Sequence, residues 1–152
     1  MNILENLKTL GITLPEVSTP GGSYVSVNIR GNMAYVAIQF PIQNEDYLYQ
    51  GRLGENISTD EGIEAMGLCA MNVLAQIHAK VGFDNIAGLN HMDAYYQSGK
   101  QWDEAPKVVD GASQIFTKIL GTKGTHSRAI FGVDKLPRNF SVGLTTTFTI
   151  KT

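Results

Sequence analysis

Residues 31–41 read GNMAYVAIQFP, and both parities of the strand they describe are apolar. Met33, Tyr35 and Ala37 fall on one side of a period-two segment, while Ala34, Val36, Ile38 and Phe40 fall on the other. The preceding run YVSVNIR, residues 24–30, is also strand-like, and Gly31-Asn32 between the two suits a two-residue hairpin turn. A strand that is apolar on both faces belongs between two layers. The helices available to this chain cover one face of a sheet, so the second layer is expected from another copy of the chain, with sheets packed against one another in a homo-oligomer.

Working outward, Ile3, Leu4, Leu7 and Leu10 recur at helical spacing, which predicts a short amphipathic helix over 2–10 that stops at Gly11 and serves as a clasp or lid. Pro15, Pro20, Gly21 and Gly22 mark an irregular segment before the hairpin. Residues 41–57 read as a long loop with at most one short strand around Leu48–Leu53, long enough to cover a site. Ser58 and Glu61 form an S-x-x-E capping box, and Ile63, Met66, Ala70, Val73, Leu74, Ile77 and Val81 make one apolar stripe, predicting a main helix over 59–81.

Gly82 ends that helix and IAGLNHMDAYYQ, residues 86–97, reads as a central strand. Pro106 opens a second helix whose apolar positions Val109, Ala112, Ile115, Phe116, Ile119 and Leu120 persist to Gly121, a residue suited to the left-handed conformation past a helix end. Two strands finish the chain. In the last, Phe140, Val142, Leu144, Thr146, Phe148 and Ile150 alternate with Ser141, Gly143, Thr145, Thr147 and Thr149. The pattern predicts a single α+β domain over 1–152, a mixed sheet with two main helices on one face.

Composition narrows the function. The chain has 152 residues with 12 Lys plus Arg against 14 Asp plus Glu, a formal charge of -2, so no broad basic field is available to a nucleic-acid backbone. The lone Cys69, inside an apolar helix, reads as a packed thiol in a reducing compartment rather than a nucleophile. The segment MNILENLKTLGI lacks the features of a signal peptide, and no apolar run is long enough to cross a membrane, so a soluble cytoplasmic protein is expected.

Of the reactive side chains, His78, His91 and His126 show no metal-ligand spacing, and no G-x-S-x-G elbow is present. Gly121-Thr122-Lys123-Gly124 follows a helix instead of opening one, so it is a turn and not a phosphate cradle. Asp60-Glu61 and Asp103-Glu104 lie at predicted helix starts, where the helix dipole accounts for them. Arg128 is left. Its planar guanidinium serves either as a clamp for a ligand carboxylate or in a structural ion pair, and spacing does not choose between them.

Taken together, LGITLP, GGSYVS, GNMAYVAIQFP, GRLGENISTDEGIEAMGLCAMNVLAQI, PKVVDGAS and HSRAIFGVDKLP resemble the RidA family, also known as the YjgF or UK114 family. The likeness is strongest to its longer YjgF-like branch, labelled endoribonuclease L-PSP, and it spans nearly the whole chain. The resemblance implies a chorismate-mutase-like fold and a homotrimer with clefts between subunits. It implies that Arg128 binds the carboxylate of a small 2-imino or 2-keto acid, that Tyr24 walls the cleft, and that a main-chain N–H near Ile38, in the segment ending at Gln39, is a second carboxylate donor.

Deaminases of this kind hydrolyse imine and enamine intermediates to keto acids and ammonia without metal or cofactor. Two positions depart from the pattern: Ile130 stands where a cysteine is usual, and Gly143 where a glutamate would hold the attacking water. His126 and Glu55 are the candidates to supply that role from other segments. The resemblance therefore leaves open an imine hydrolase and a non-catalytic trimeric binder of small metabolites, with an endoribonuclease as the weaker alternative.

Overall fold

The computed structural model describes residues 2–152. The hairpin around Gly31 forms as its sequence predicts. β1 (Val27–Arg30) and β2 (Met33–Gln39) pair antiparallel with Arg30 opposite Met33, and Gly31 takes the positive φ of 59° that the two-residue loop requires. The first helix, α1, spans Ile3–Leu10 and is closed by an Asn2–Glu5 capping box. It is a clasp: Asn6 Nδ2 donates to the Ile119 carbonyl at 2.9 Å, and buried Ile3 and Leu7 anchor it to the core away from any cleft.

The segment after β2 departs from expectation. No strand forms over 48–53; instead β3 (Ile42–Gln43) and β4 (Asp46–Tyr47) make a miniature hairpin turned by Asn44 and Glu45, both with positive φ. Tyr49 at φ 54° and Gly51 at φ 140° break the extended run, leaving Gln50 with one isolated bridge, to Phe140, and Leu53 with two, to Ile57 and Ser98.

The main helix, α2 (Thr59–Val81), starts at Ser58, whose hydroxyl accepts from Glu61 N while the Glu61 carboxylate accepts from Ser58 N. It is buried nearly all round because the sheet covers one side and α3 (Ala105–Leu120) another. The two helices approach closely at Gly111, where a Cβ would stand 2.3 Å from the Ile63 carbonyl oxygen.

β5 (Ile86–Tyr96), β6 (Ser127–Gly132) and β7 (Val142–Ile150) complete a five-stranded sheet in the order β1-β2-β7-β5-β6. Only β5 and β6 run parallel, so the sheet is mixed, with α2 over β2 and β7 and α3 over β5 and β6. Met92, Leu144 and Phe148 of the sheet meet Met66, Leu74 and Phe116 of the helices in a core from which solvent is excluded. Cys69 lies in it, and burial pushes its thiol pKa up. Among the described residues, no helix is long and apolar enough to cross a membrane.

The two-sided strand is resolved in an unexpected way. β2 and β7 lose register between Val36 and Gln39, a bulge that sets Ala37 and Ile38 against one fewer residue opposite. Before it, Ala34 and Val36 face the helices; after it, Gln39 does, and Ile38 and Phe40 move to the outer face beside Gly143. The alternation assigned to Ala34, Val36, Ile38 and Phe40 as one side is therefore wrong: one inserted residue reverses it halfway.

No element among the described residues covers the outer face. Tyr35 and Phe131 there are 47% and 45% exposed, and between them lie Thr145, Thr147, His91 and Asp93. His91 Nε2 is 2.9 Å from Asp93 Oδ1 and its Nδ1 2.7 Å from Ser127 Oγ, a cross-strand polar cluster on neighbouring positions of β5 and β6.

Candidate functional site

Past the bulge, the outer face becomes one wall of a cleft of about 540 Å³. Ile38 and Phe40 form its floor, Tyr24 and the 18–21 segment one side, and the β3–β4 hairpin with Arg138 and Phe140 the other. Each wall is held by a buried amide. Asn72, reaching out of α2, donates through Nδ2 to the Phe40 and Ile42 carbonyls at 2.9 and 2.8 Å. Gln76, one turn on, donates to the Ser18 carbonyl at 3.0 Å.

Tyr24 is half exposed and its hydroxyl accepts from Gly21 N at 3.0 Å, which folds the ring over its own loop. Phe40 stacks on Phe140 with ring centroids 4.8 Å apart and planes 11° from parallel. Gly143 makes this possible: a Cβ there would lie 2.8 Å from Ile38 Cδ1 and 2.9 Å from Phe40 Cε1. The position that resembles the family's glutamate is thus not an empty gap, since Ile38 and Phe40 fill it. Gln39 points into the protein and donates to the Ala37 carbonyl, shaping the bulge from behind.

Arg128 is elsewhere. It is the second residue of β6, at the far edge of the sheet from β2 and level with Val36 through Met92 and Thr146, three inter-strand spacings or about 14 Å across the sheet. Its side chain lies on the helix side, where Nη1 donates to Asp110 Oδ1 at 2.7 Å and Ser113 Oγ at 3.1 Å, and Nη2 to the Pro106 carbonyl at 3.4 Å. Within one chain the ion-pair reading of this arginine is realised.

Ile130 lies on the same face and packs against the core. His126 has both ring nitrogens engaged, one 2.9 Å from Ser113 Oγ and the other 2.6 Å from the Gly124 carbonyl oxygen. Glu55 packs its side chain beside Gly99. Neither lines the cleft of its own chain, whose lining has no carboxylate and no imidazole. Tyr24, Ile38, Gln39 and Gly143 are brought together, while Arg128, Ile130 and His126 form a separate group on the other edge.

The sequence reading passed over Arg138. It projects into the cleft with its guanidinium carbon 5.6 Å from the centre of the Tyr47 ring. Its backbone and that of Asn139 are both left-handed, at φ 53° and 58°, a conformation that costs on the order of 1–3 kcal/mol per residue and persists only where surroundings impose it. They do: the Arg138 carbonyl accepts from Gln50 Nε2 at 2.7 Å, the Asn139 carbonyl from Gly51 N at 2.7 Å, and fully buried Gln97 donates to Asn139 Oδ1 and accepts from Leu136 N, both at 2.8 Å. The one signal in the sequence is Asn139 after Pro137-Arg138, which marks a turn without marking where Arg138 points.

Known proteins agree with this architecture. Residues 5–149 match the family described as YjgF/chorismate mutase-like, "putative endoribonuclease". A structure described as a putative endoribonuclease from Shewanella oneidensis MR-1 superposes with a TM-score of 0.94 at 29% identity, covering 98% of this chain and 99% of that one. The Agrobacterium tumefaciens protein Atu1372, described as of unknown function, gives a TM-score of 0.91 at 32% identity over 98% of this chain and 92% of that one. Protein TCP17 of Trypanosoma cruzi is 31% identical over 137 residues, 89% of this chain and 86% of that protein. The chain belongs to the YjgF/chorismate mutase-like family.

Proposed function

We propose that this protein binds small 2-imino and 2-keto acids in a cleft completed by a neighbouring copy in a homotrimer, with Arg128 of one copy holding the substrate carboxylate against the Tyr24–Ile38 wall of the next. The observation that carries this reading is the split site. One chain presents the aromatic wall and the out-of-register main chain at Ile38 on one edge, and the guanidinium on the other. The uncovered outer face, with Tyr35 and Phe131 exposed, supports the same assembly. Cys69, free and buried, fits a cytoplasmic setting.

Clamping the carboxylate leaves the electrophilic imine carbon open to water. Addition of water and loss of the nitrogen as ammonia gives the keto acid, and orientation supplies the help in the absence of a side-chain base. A second reading, a binder without hydrolysis, is favoured by one specific observation: Ile38 and Phe40 occupy the place beside Gly143 where a water-holding side chain would stand. RNA cleavage draws no support from a cleft lined by neither carboxylate nor imidazole.

The test generates 2-iminobutanoate with a dehydratase and follows semicarbazone formation, with 2-ketobutyrate titration and sedimentation alongside. Faster disappearance of the imine with wild type but not with Arg128→Ala supports the hydrolase; keto-acid binding lost in Arg128→Ala without acceleration supports the binder. A concentration-independent monomer mass sinks the shared cleft.

A further inference from the structure

We propose that the acid held in this cleft carries a second acidic group, and that Arg138 is the residue that selects for it. The inference rests on the reading above, in which Arg128 takes the carboxylate next to the reacting carbon, and it names the class of acid: a 2-imino or 2-keto dicarboxylate.

Arg138 is a charged side chain in an otherwise uncharged lining, facing aromatic walls built from Phe40, Phe140 and Tyr47. No carboxylate of the described residues stands within ion-pairing distance of it, whereas Arg128 already has Asp110. A second opening on the other side of the 137–139 turn shares Arg138 and adds Arg52 and Lys135, likewise without an acidic partner. The Arg52 guanidinium donates only to main-chain carbonyls, of Ser98 and Asp134, so its charge is not neutralised. Arg138 is therefore the charged group that the cleft shares with a basic neighbouring opening, in a chain whose net charge is -2.

The direction of Arg138 is set before any ligand arrives. Its left-handed backbone is fixed by Gln50, Gly51 and, through Asn139, the buried amide of Gln97. A fixed backbone keeps this side chain on the Tyr47 side of the turn, and the guanidinium fork matches a carboxylate. Space agrees with the charge. A cleft of about 540 Å³ is in the range that encloses a drug-sized molecule and exceeds what pyruvate or 2-ketobutyrate would fill. With a monocarboxylate bound to Arg128, Arg138 faces an apolar chain; with a dicarboxylate, both cations are matched.

Calorimetric titration with 2-ketobutyrate, oxaloacetate and 2-oxoglutarate tests it, using wild type, Arg138→Asn, Arg138→Lys and Arg128→Ala. Asparagine accepts the left-handed backbone, so that variant removes the charge while keeping the turn. Expected are about tenfold tighter binding of a dicarboxylate by wild type, loss of that advantage in Arg138→Asn because the dicarboxylate loses about tenfold more affinity than 2-ketobutyrate does, and partial recovery in Arg138→Lys. Equal binding of both classes by wild type, or an equal drop for both in Arg138→Asn, overturns selection by Arg138 while a loss of both in Arg128→Ala keeps the clamp. Binding of both classes untouched by Arg128→Ala, or absent in wild type, overturns the clamp and this inference with it.

Discussion

Arg128 and Asp110 join the edge strand β6 to α3 through one short contact, Nη1 to Oδ1 at 2.7 Å, while Nη2 has only the long bond to the Pro106 carbonyl. A ligand carboxylate reaching Arg128 competes with Asp110 for the same guanidinium. The pair's side chains are 27% and 52% exposed, and ion pairs this open contribute about 0–1 kcal/mol to stability. Asp110→Asn is therefore expected to move the urea midpoint little and to tighten keto-acid binding several-fold. Weaker binding in a folded Asp110→Asn protein would mean that Asp110 orients the guanidinium rather than competing for it.

Restoring a glutamate at position 143 does not by itself restore a water-holding carboxylate. The new Cβ collides with Ile38 and Phe40, and overpacking of this kind costs about 1–3 kcal/mol. In a domain of this size that is a drop of several degrees in Tm. Gly143→Glu is expected to lose stability without gaining imine hydrolysis, and the double change Gly143→Glu with Ile38→Ala to recover part of the loss. Scanning calorimetry of the two variants checks it.

Asn72 ties two carbonyls at the end of β2 and the start of β3 to the central helix. Asn72→Ala removes this donor from both, leaving the Phe40 carbonyl only the Ile42 N–H at 2.8 Å, a loss of about 1–3 kcal/mol on denaturant unfolding. Because the same carbonyls frame the cleft floor, ligand affinity is expected to fall with stability. Asn72→Ala that binds as wild type would separate the floor from the site.

Alkaline pH is expected to destabilise the fold. Burial pushes the Cys69 thiol up, and burial, then the hydrogen bond to Glu64, push Tyr49 up as well. For each group the folded state keeps its proton after the unfolded chain has released it. The stabilisation is thus complete below the unfolded values, near 8.5 for cysteine and 10 for tyrosine, and is lost as pH rises beyond them. The unfolding free energy is expected to be flat from pH 7 to 8 and to decline above about 8.5, the slope approaching about 1.4 kcal/mol per pH unit for the buried thiol, with Tyr49 adding a smaller decline at higher pH. Cys69→Ala is expected to delay that decline to the tyrosine range; an unchanged profile would remove the thiol from the account.

Long periodic segments carried the architecture in plain view. The capping boxes at Asn2 and Ser58, the Gly31 turn and the alternation of β7 each depend on residues within a few positions of one another. Local chemistry of that sort survives folding intact. The bulge at Ala37-Ile38 was hidden because an inserted residue leaves an apolar run apolar; only pairing with β7 reveals the change of face. Arg138 was hidden for a related reason, as its direction is set by Gln50, Gly51 and Gln97, distant in the chain. Arg128 was singled out with a ligand clamp and an ion pair both open; its partner within the chain, Asp110, sits 18 positions away on a helix face, and nothing in the segment around it announces that contact.

The displaced pairing in β2 also bears on how such a site is gained or lost. Removing the single residue Ala37 would take out the bulge yet keep Ile38 and Phe40 on the outer face, because Val36, Ile38, Gln39 and Phe40 would then alternate without interruption. With every residue kept and the strand paired without the bulge, Ile38 and Phe40 would instead turn towards the helices and Gln39 outwards. The floor is thus tied to the offset between β2 and β7 and not to the composition of β2, so gaps in the alignment of either strand are the places to look for a change of ligand.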